Sequence, residues 1–250
     1  MPLPKDDYLE AYKVAGERLQ SCMDASRSTG FAWIKARPTW PSFADLVFCS
    51  GQSMYAVLLV AATHQKQEKE GSRATFEITA TQRKALLREC ERYHLEPVVF
   101  PIWLGIMEPL TKGWNLISLK TMELVHPGAE ADTLPIPMSK WELCNFCMQH
   151  ILLELQDKRQ LIVACHDMPD SYPHIWFVDE NEQRSWISVL CEFGAPPSRI
   201  PDKVKALQKD IPGGTGYVAR MGVIPAERMS DIPMRGDALM LNYKGLEKLP

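Results

Sequence analysis

Short apolar runs on either side of tight turns are the feature that most constrains the fold of this chain. Residues 46–49 and 55–60 are apolar and flank a segment that contains Gly51. Residues 174–179 and 184–190 form a second pair of runs around a polar turn. Paired runs around a short turn are typical of β-hairpins, since the turn reverses the chain and lets the two strands pair. The sequence therefore predicts a buried sheet in each half.

Helices are predicted between these hairpins. The clearest one begins at Ser139, because Ser139 and Glu142 have the spacing of a capping box, in which each side chain bonds the backbone amide of the other residue. Apolar residues then recur at spacings of three and four, which is the period of one helix face. The same periodicity predicts helices over residues 7–26, 80–93 and 202–209.

Further strands complete an α+β fold class. They are predicted over residues 75–78, 97–103, 114–121, 160–165, 217–224 and 238–243. Each half then contains a helix, a hairpin, a second helix and a further strand. A divergent internal duplication explains this order, and so does chance, since apolar runs separated by helices occur in any α+β protein.

A proline-rich stretch separates the two helix–hairpin–helix–strand halves. It contains three prolines and no hydrophobic periodicity, which is typical of a linker. We therefore predict an N-terminal α+β half over residues 1–125, a linker or crossing over 126–138, and a C-terminal α+β half over 139–250.

Composition and charge limit the classes of partner. The chain has 28 Lys and Arg against 31 Asp and Glu, and no basic block. Nucleic-acid binding takes much of its affinity from basic side chains on phosphates, so charge does not support a nucleic-acid partner, although a local patch is compatible with this total. The most apolar stretch, residues 56–62, is too short to cross a membrane. We expect a cytoplasmic protein with no membrane partner.

One loop gathers side chains that could bind a divalent metal. His166, Asp167, Asp170 and His174 lie within nine residues between two predicted strands. Imidazole and carboxylate groups are common ligands of divalent metals, and loops on a rigid sheet often carry sites. Their spacing fits no established metal motif, however. The alternative is that prolines shape the loop while these side chains bond its backbone.

Cysteines offer a second candidate. Cys144-x-x-Cys147-x-x-His150 contains half of a zinc site, but a partner pair is missing from the sequence. Both cysteines fall on the apolar face of the predicted helix. We therefore favour core packing for them, as small hydrophobic side chains.

Pro169-Asp170 and the order of elements around it resemble the PD-(D/E)xK nuclease family. That core needs an acid-x-Lys pair on the next strand, to hold Mg²⁺ and position a water for phosphodiester hydrolysis. Residues 185–190 contain no such pair, and Cys191-Glu-Phe193 has Phe in place of Lys. Residues 55–60 carry no charge. The resemblance is therefore one of topology, and neither half completes the catalytic set.

The sequence thus favours a non-catalytic binding or accessory protein that acts through protein–protein contacts and has no cofactor. A full apolar core without a complete catalytic motif is the basis of this interpretation. The alternative is a metal-dependent hydrolase or nuclease with an incomplete PD-(D/E)xK-like core, which uses the segment from His166 to Glu180.

Zinc or manganese titration tests the loop. If it binds metal, calorimetry of the native chain shows a saturable site, and the double variant His166→Ala, Asp170→Ala loses it, because removing two ligands removes most of the coordination. Asp157→Ala, outside the loop, is the matched control. Binding that is absent from the native chain, or unchanged in the double variant, leaves the loop as a structural connection.

Overall fold

A computed structural model describes residues 5–26, 31–37, 39, 42–67, 71–128, 135–180, 182–227 and 232–250. These residues form two compact units, one drawn from residues 1–37 and 43–134 and the other from residues 38–42 and 135–250. Both units contain helices and strands, so the predicted mixed α+β class is confirmed. Within the described part of the chain, no helix is long and apolar enough to cross a membrane.

The N-terminal unit is built on a mixed sheet. Its elements are α1 (Lys5–Ala25), β1 (Phe31–Lys35), β2 (Leu46–Ser50), β3 (Ser53–Gln67), β4 (Gly71–Phe76), α2 (Ala80–Tyr93), β5 (Glu96–Trp103), β6 (Glu108–Pro109), β7 (Leu116–Ser118) and β8 (Leu124–Val125). The strand order is β1-β2-β3-β5-β7-β8, with β4 paired to β3 and β6 to β5. β3 and β5 are parallel, since α2 carries the chain across between them.

Both faces of this sheet are buried. α1 packs Ala11, Ala15 and Leu19 against the face that presents Val57 and Leu59 of β3. The alternate residues of β3, which point to the opposite face, are buried too. Thr79 and Gln82 form the capping box of α2, and Leu86, Cys90 and Tyr93 are its buried apolar residues.

β3 is longer than the sequence predicts. The run of polar residues after Ala62 predicts a loop, but β3 continues to Gln67 and pairs with β4 as a two-stranded ribbon. Backbone groups make the hydrogen bonds of this ribbon, so the ribbon forms without an alternation of apolar and polar residues in the sequence. In the predicted linker, residues 129–134 lie outside the described part of the chain.

The C-terminal unit has a five-stranded sheet between two helices. Its elements are α3 (Lys140–Asp157), β9 (Leu161–Cys165), β10 (Ile175–Val178), β11 (Arg184–Phe193), α4 (Asp202–Asp210), β12 (Thr215–Pro225) and β13 (Leu239–Lys248). The strand order is β13-β12-β11-β10-β9. β11 and β12 are parallel, and every other neighbouring pair is antiparallel.

Each helix covers a different set of strand residues. α3 packs Cys147 and Ile151 against one cluster, which includes Ile187 and Val189 of β11. α4 packs Val204 against a second cluster, which includes Trp186 of β11. Successive strand residues point to opposite faces, so the two helices cover opposite faces of β11.

The capping box at the start of α3 is joined to a buried ion pair. The Ser139 amide donates to Glu142 Oε2 at 2.9 Å, as the capping-box spacing predicts. Glu142 also accepts two hydrogen bonds from Arg235, Nε to Oε1 at 2.9 Å and Nη2 to Oε2 at 3.0 Å. These side chains are 1% and 3% exposed, so each charge depends on the other for compensation.

Removing one member of this ion pair tests how much the pair contributes to the stability of the fold. We expect Arg235→Met to lower the free energy of unfolding by about 3–5 kcal/mol, because the Glu142 carboxylate stays buried without its counter-charge. Lys120→Met, which breaks the half-exposed pair with Glu96, is the control and should cost less than about 1 kcal/mol. Urea unfolding of the native chain and of the two variants measures both losses of unfolding free energy. Equal losses in the two variants would contradict the role given to the buried pair.

Candidate functional site

The loop between β9 and β10 closes around His174. This imidazole is fully buried, its Nδ1 accepts from the Val189 amide at 3.0 Å, and its Nε2 lies 3.2 Å from the Met168 carbonyl. A carbonyl only accepts, so Nε2 carries the proton and the ring is neutral. Burial lowers the pKa of His174 to about 4, with the charge of His166 as a second cause. His174 therefore binds the backbone of the loop to that of β11.

The other predicted ligands have different surroundings. Asp167 is fully buried and accepts from the Ser42 hydroxyl at 3.1 Å. Asp170 is half-exposed and pairs with Lys140 at 2.9 Å. His166 Nδ1 accepts from the Met168 amide at 3.1 Å. Among the described residues no three His, Cys, Asp or Glu side chains are placed to hold a metal ion, and the metal site stays a prediction.

Three cysteines meet beside this loop. Cys144 and Cys147 are buried on α3, and Cys191 of β11 is half-buried against the same apolar cluster. Ile187, Val189 and Cys191 share one face of β11, since side chains two apart in a strand point the same way. The Cys144 sulfur also lies 3.8 Å from His174 Nε2. Cys144 and Cys147 thus lie in the core, and the prediction of core packing for them is confirmed.

The third thiol was missed in the sequence, and it changes the chemistry of the group. Hydrogen bonding from Cys144 and Cys147 lowers the pKa of Cys191 against the opposing effect of burial, and the charge of Lys140 acts in the same direction as the hydrogen bonds. Hydrogen bonding to Cys191 together with burial raises the pKa of Cys144 and Cys147. If one thiol of the group ionises, it is therefore that of Cys191. Sequence offers no signal for this, because residues 147 and 191 are brought together only by helix–sheet packing.

Charged and aromatic groups lie next to the thiols. Lys203 Nζ is 4.7 Å from the centre of the Tyr172 ring and donates to the Asp170 carbonyl at 3.1 Å. The Tyr172 ring meets the His174 ring edge-on, with their centres 4.9 Å apart. Burial raises the pKa of Tyr172 to about 12, so its phenol stays protonated at neutral pH.

β9 is an exposed edge of the C-terminal sheet. It is the last strand in the order, and Leu161 and Val163 are 67% and 62% exposed. All five of its residues are uncharged. An edge strand presents unpaired backbone amides and carbonyls, and such edges pair readily with another extended chain.

The N-terminal unit contains a buried carboxylate, Asp45, that is absent from the sequence predictions. Asp45 directly precedes β2, its Oδ2 accepts from the Leu59 amide at 2.7 Å, and its Oδ1 accepts from the Tyr8 hydroxyl at 2.8 Å. Burial raises the pKa of Asp45. The available signal was an acid at the start of an otherwise apolar strand, where only a hydrogen-bonded role makes its burial tolerable.

An open groove of about 510 Å³ runs along α1 in the same unit. Tyr12 and Trp33 line it, and the Trp33 indole donates to Gln20 Oε1 at 2.7 Å. Tyr12 is next to Asp45, and burial followed by the charge of Asp45 raises its pKa.

Comparison with known families finds one similarity, in the second half of the chain. Residues 141–249 match a family described as a domain of unknown function (DUF8840). The DUF8840 match covers α3, the thiols, the loop of His174 and the five strands of the C-terminal sheet. No curated protein and no solved structure matches the chain significantly.

The environment of His174 predicts a pH dependence of folding. An unfolded histidine has a pKa near 6.5, so the unfolded chain takes up this proton first as the pH falls. The stabilisation from His174 is complete above about pH 6.5 and is lost as the pH approaches about 4. We expect a loss of about 2 kcal/mol in the free energy of unfolding between pH 7 and pH 5.

Urea unfolding at the two pH values measures this loss. His174→Asn, which removes the titrating ring, is expected to show a pH dependence smaller by that amount. An identical pH dependence in the native chain and the variant would show that His174 does not titrate below the unfolded value.

Proposed function

We propose that this chain is a non-catalytic binding protein, and that an extended segment of a partner protein adds to the edge of its C-terminal sheet along β9. The exposed apolar side chains of Leu161 and Val163 carry this proposal. Strand addition obtains affinity from backbone hydrogen bonds and specificity from the alternating side chains. The uncharged β9 fits an apolar, extended segment.

The opposite edge of the same sheet is built differently. β13 carries Lys244, Glu247 and Lys248, and Gly245 has a φ of 99°. Charged side chains and backbone irregularities are devices by which proteins protect an edge from pairing. The contrast between the two edges supports β9 as the docking strand.

The buried polar groups support a binding role over the hydrolase alternative. Asp45 precedes the second strand of its sheet, and both of its oxygens accept hydrogen bonds from the protein. His174 precedes the second strand in the other unit and likewise bonds the backbone. These side chains support the strands, and the following strands β3 and β11 contain no acid-x-Lys pair.

We also propose that the two units derive from an internal duplication. In both, three antiparallel strands are followed by a crossover helix, a parallel strand and an antiparallel strand. Asp45 and His174 make the same two contacts. The Asp45 amide donates to the Val57 carbonyl, and its side chain accepts from the Leu59 amide. The His174 amide likewise donates to the Ile187 carbonyl, and its ring accepts from the Val189 amide. Two units that resembled each other only by chance would have no reason to share this hydrogen-bond pattern, so the pattern supports a common origin.

The three buried or half-buried thiols also fit the proposed location in the cytoplasm, since reducing conditions keep such thiols free.

Site-specific photo-crosslinking tests the docking strand. A crosslinking amino acid at position 161 is expected to capture a protein partner in extracts of the source cells, and the same group at position 153 of α3 is not. Leu161→Lys should then weaken the affinity for the purified partner about tenfold or more, because a buried leucine contributes about 1.5–3 kcal/mol.

Leu153→Lys is the matched control, since Leu153 is 58% exposed and lies off the sheet edge. Its affinity should equal that of the native chain in the same titration. Equal weakening by both substitutions, or capture from position 153 alone, would refute docking along β9.

A further inference from the structure

We propose that Cys191 is a site of reversible oxidation, at which a hydroperoxide converts Cys191 and one of the two thiols of α3 into a disulfide. This inference concerns the thiol group beneath the loop of His174 and is independent of partner binding at β9. It assigns a role to the one arrangement in the described C-terminal unit that combines a solvent-reachable nucleophile with neighbouring thiols.

The geometry provides both members of the disulfide. Cys144 and Cys147 are three residues apart on α3, so they share a helix face, and that face packs on β11. Cys191 lies on the face of β11 that meets it. Two resolving thiols are therefore adjacent to Cys191, which lies far from them in the sequence.

Exposure distinguishes the three thiols. Cys144 and Cys147 are 1% and 0% exposed, whereas Cys191 is half-buried. A small oxidant from solvent therefore reaches Cys191 first. The helix cysteines remain inside the core, where they are available only to a group that is already within it.

Electrostatics selects the same residue. The thiolate is the nucleophile, and neighbouring donors and cations favour it. The lowered pKa of Cys191 has its main causes in the hydrogen bonds from Cys144 and Cys147; burial opposes them, Lys140 adds to them and Asp170 opposes them more weakly. The raised pKa of the helix thiols keeps those two groups protonated.

The reaction balances in two steps. The Cys191 thiol releases its proton to solvent, and the thiolate attacks one peroxide oxygen, so an S–O bond forms, the O–O bond breaks, and the hydroxide or alkoxide that leaves takes up one proton from solvent, matching the one released. The Cys144 or Cys147 thiol then attacks the sulfenic sulfur, forming the S–S bond and releasing water that carries the thiol proton. Two thiols are oxidised and one hydroperoxide is reduced; a cellular dithiol reverses the change.

Peroxide treatment followed by peptide mapping without reductant tests the proposal. One equivalent of hydrogen peroxide is expected to join Cys191 to Cys144 or Cys147 in the native chain. In Cys191→Ser, the remaining thiols should stay reduced. Cys22→Ser, altered at another half-buried cysteine, is the control and should form the same disulfide as the native chain. In the Cys144→Ser, Cys147→Ser chain, the sulfenic acid of Cys191 should persist and react with dimedone.

Alkylation of the untreated native chain gives a measurement that needs no variant. Burial raises the pKa of Cys22, so iodoacetamide should modify Cys191 at least about tenfold faster than Cys22 at neutral pH. A disulfide that still forms in Cys191→Ser would overturn the proposal. So would alkylation of Cys191 no faster than that of Cys22, or the absence of a dimedone adduct in the double variant.

Discussion

A single hydrogen-bonding requirement organises both sheets. The third strand of each meander extends past the start of the second, so the amide of Leu59 or Val189 faces a position where the ladder has not begun. A buried amide without an acceptor is costly, and the side chain of Asp45 or His174 supplies one. The residue just before the second strand thus fixes where that strand begins, and with it the register of the sheet.

The choice of acceptor has different consequences in the two units. A carboxylate in the first unit brings Tyr8 of α1 to its other oxygen, so the bond to the sheet also positions a helix. A neutral imidazole in the second unit uses its other nitrogen on the Met168 carbonyl, so the bond fixes a loop instead. His174 also contacts α3, since its Nε2 lies 3.8 Å from the Cys144 sulfur.

The ion pair of Glu142 and Arg235 fixes the start of α3, as the hydrogen bonds of Asp45 and His174 fix the starts of β2 and β10. Glu142 caps its own helix by accepting from the Ser139 amide. Its carboxylate also binds Arg235, which lies 93 residues away in the sequence. The cap is local, whereas the partner is long-range. A substitution at Arg235 is therefore expected to act on α3, even though it changes no residue of the helix.

The sequence by itself determined the features that depend on neighbouring residues. The capping boxes of α2 and α3, the two hairpins and the α+β class follow from spacing and periodicity over a few turns. The tertiary structure alone decided which distant groups meet: Cys191 with Cys144 and Cys147, and Arg235 with Glu142. These contacts form because packing a helix on a sheet joins residues whose separation along the chain carries no signal, so the candidate site lay beyond the reach of motif spacing.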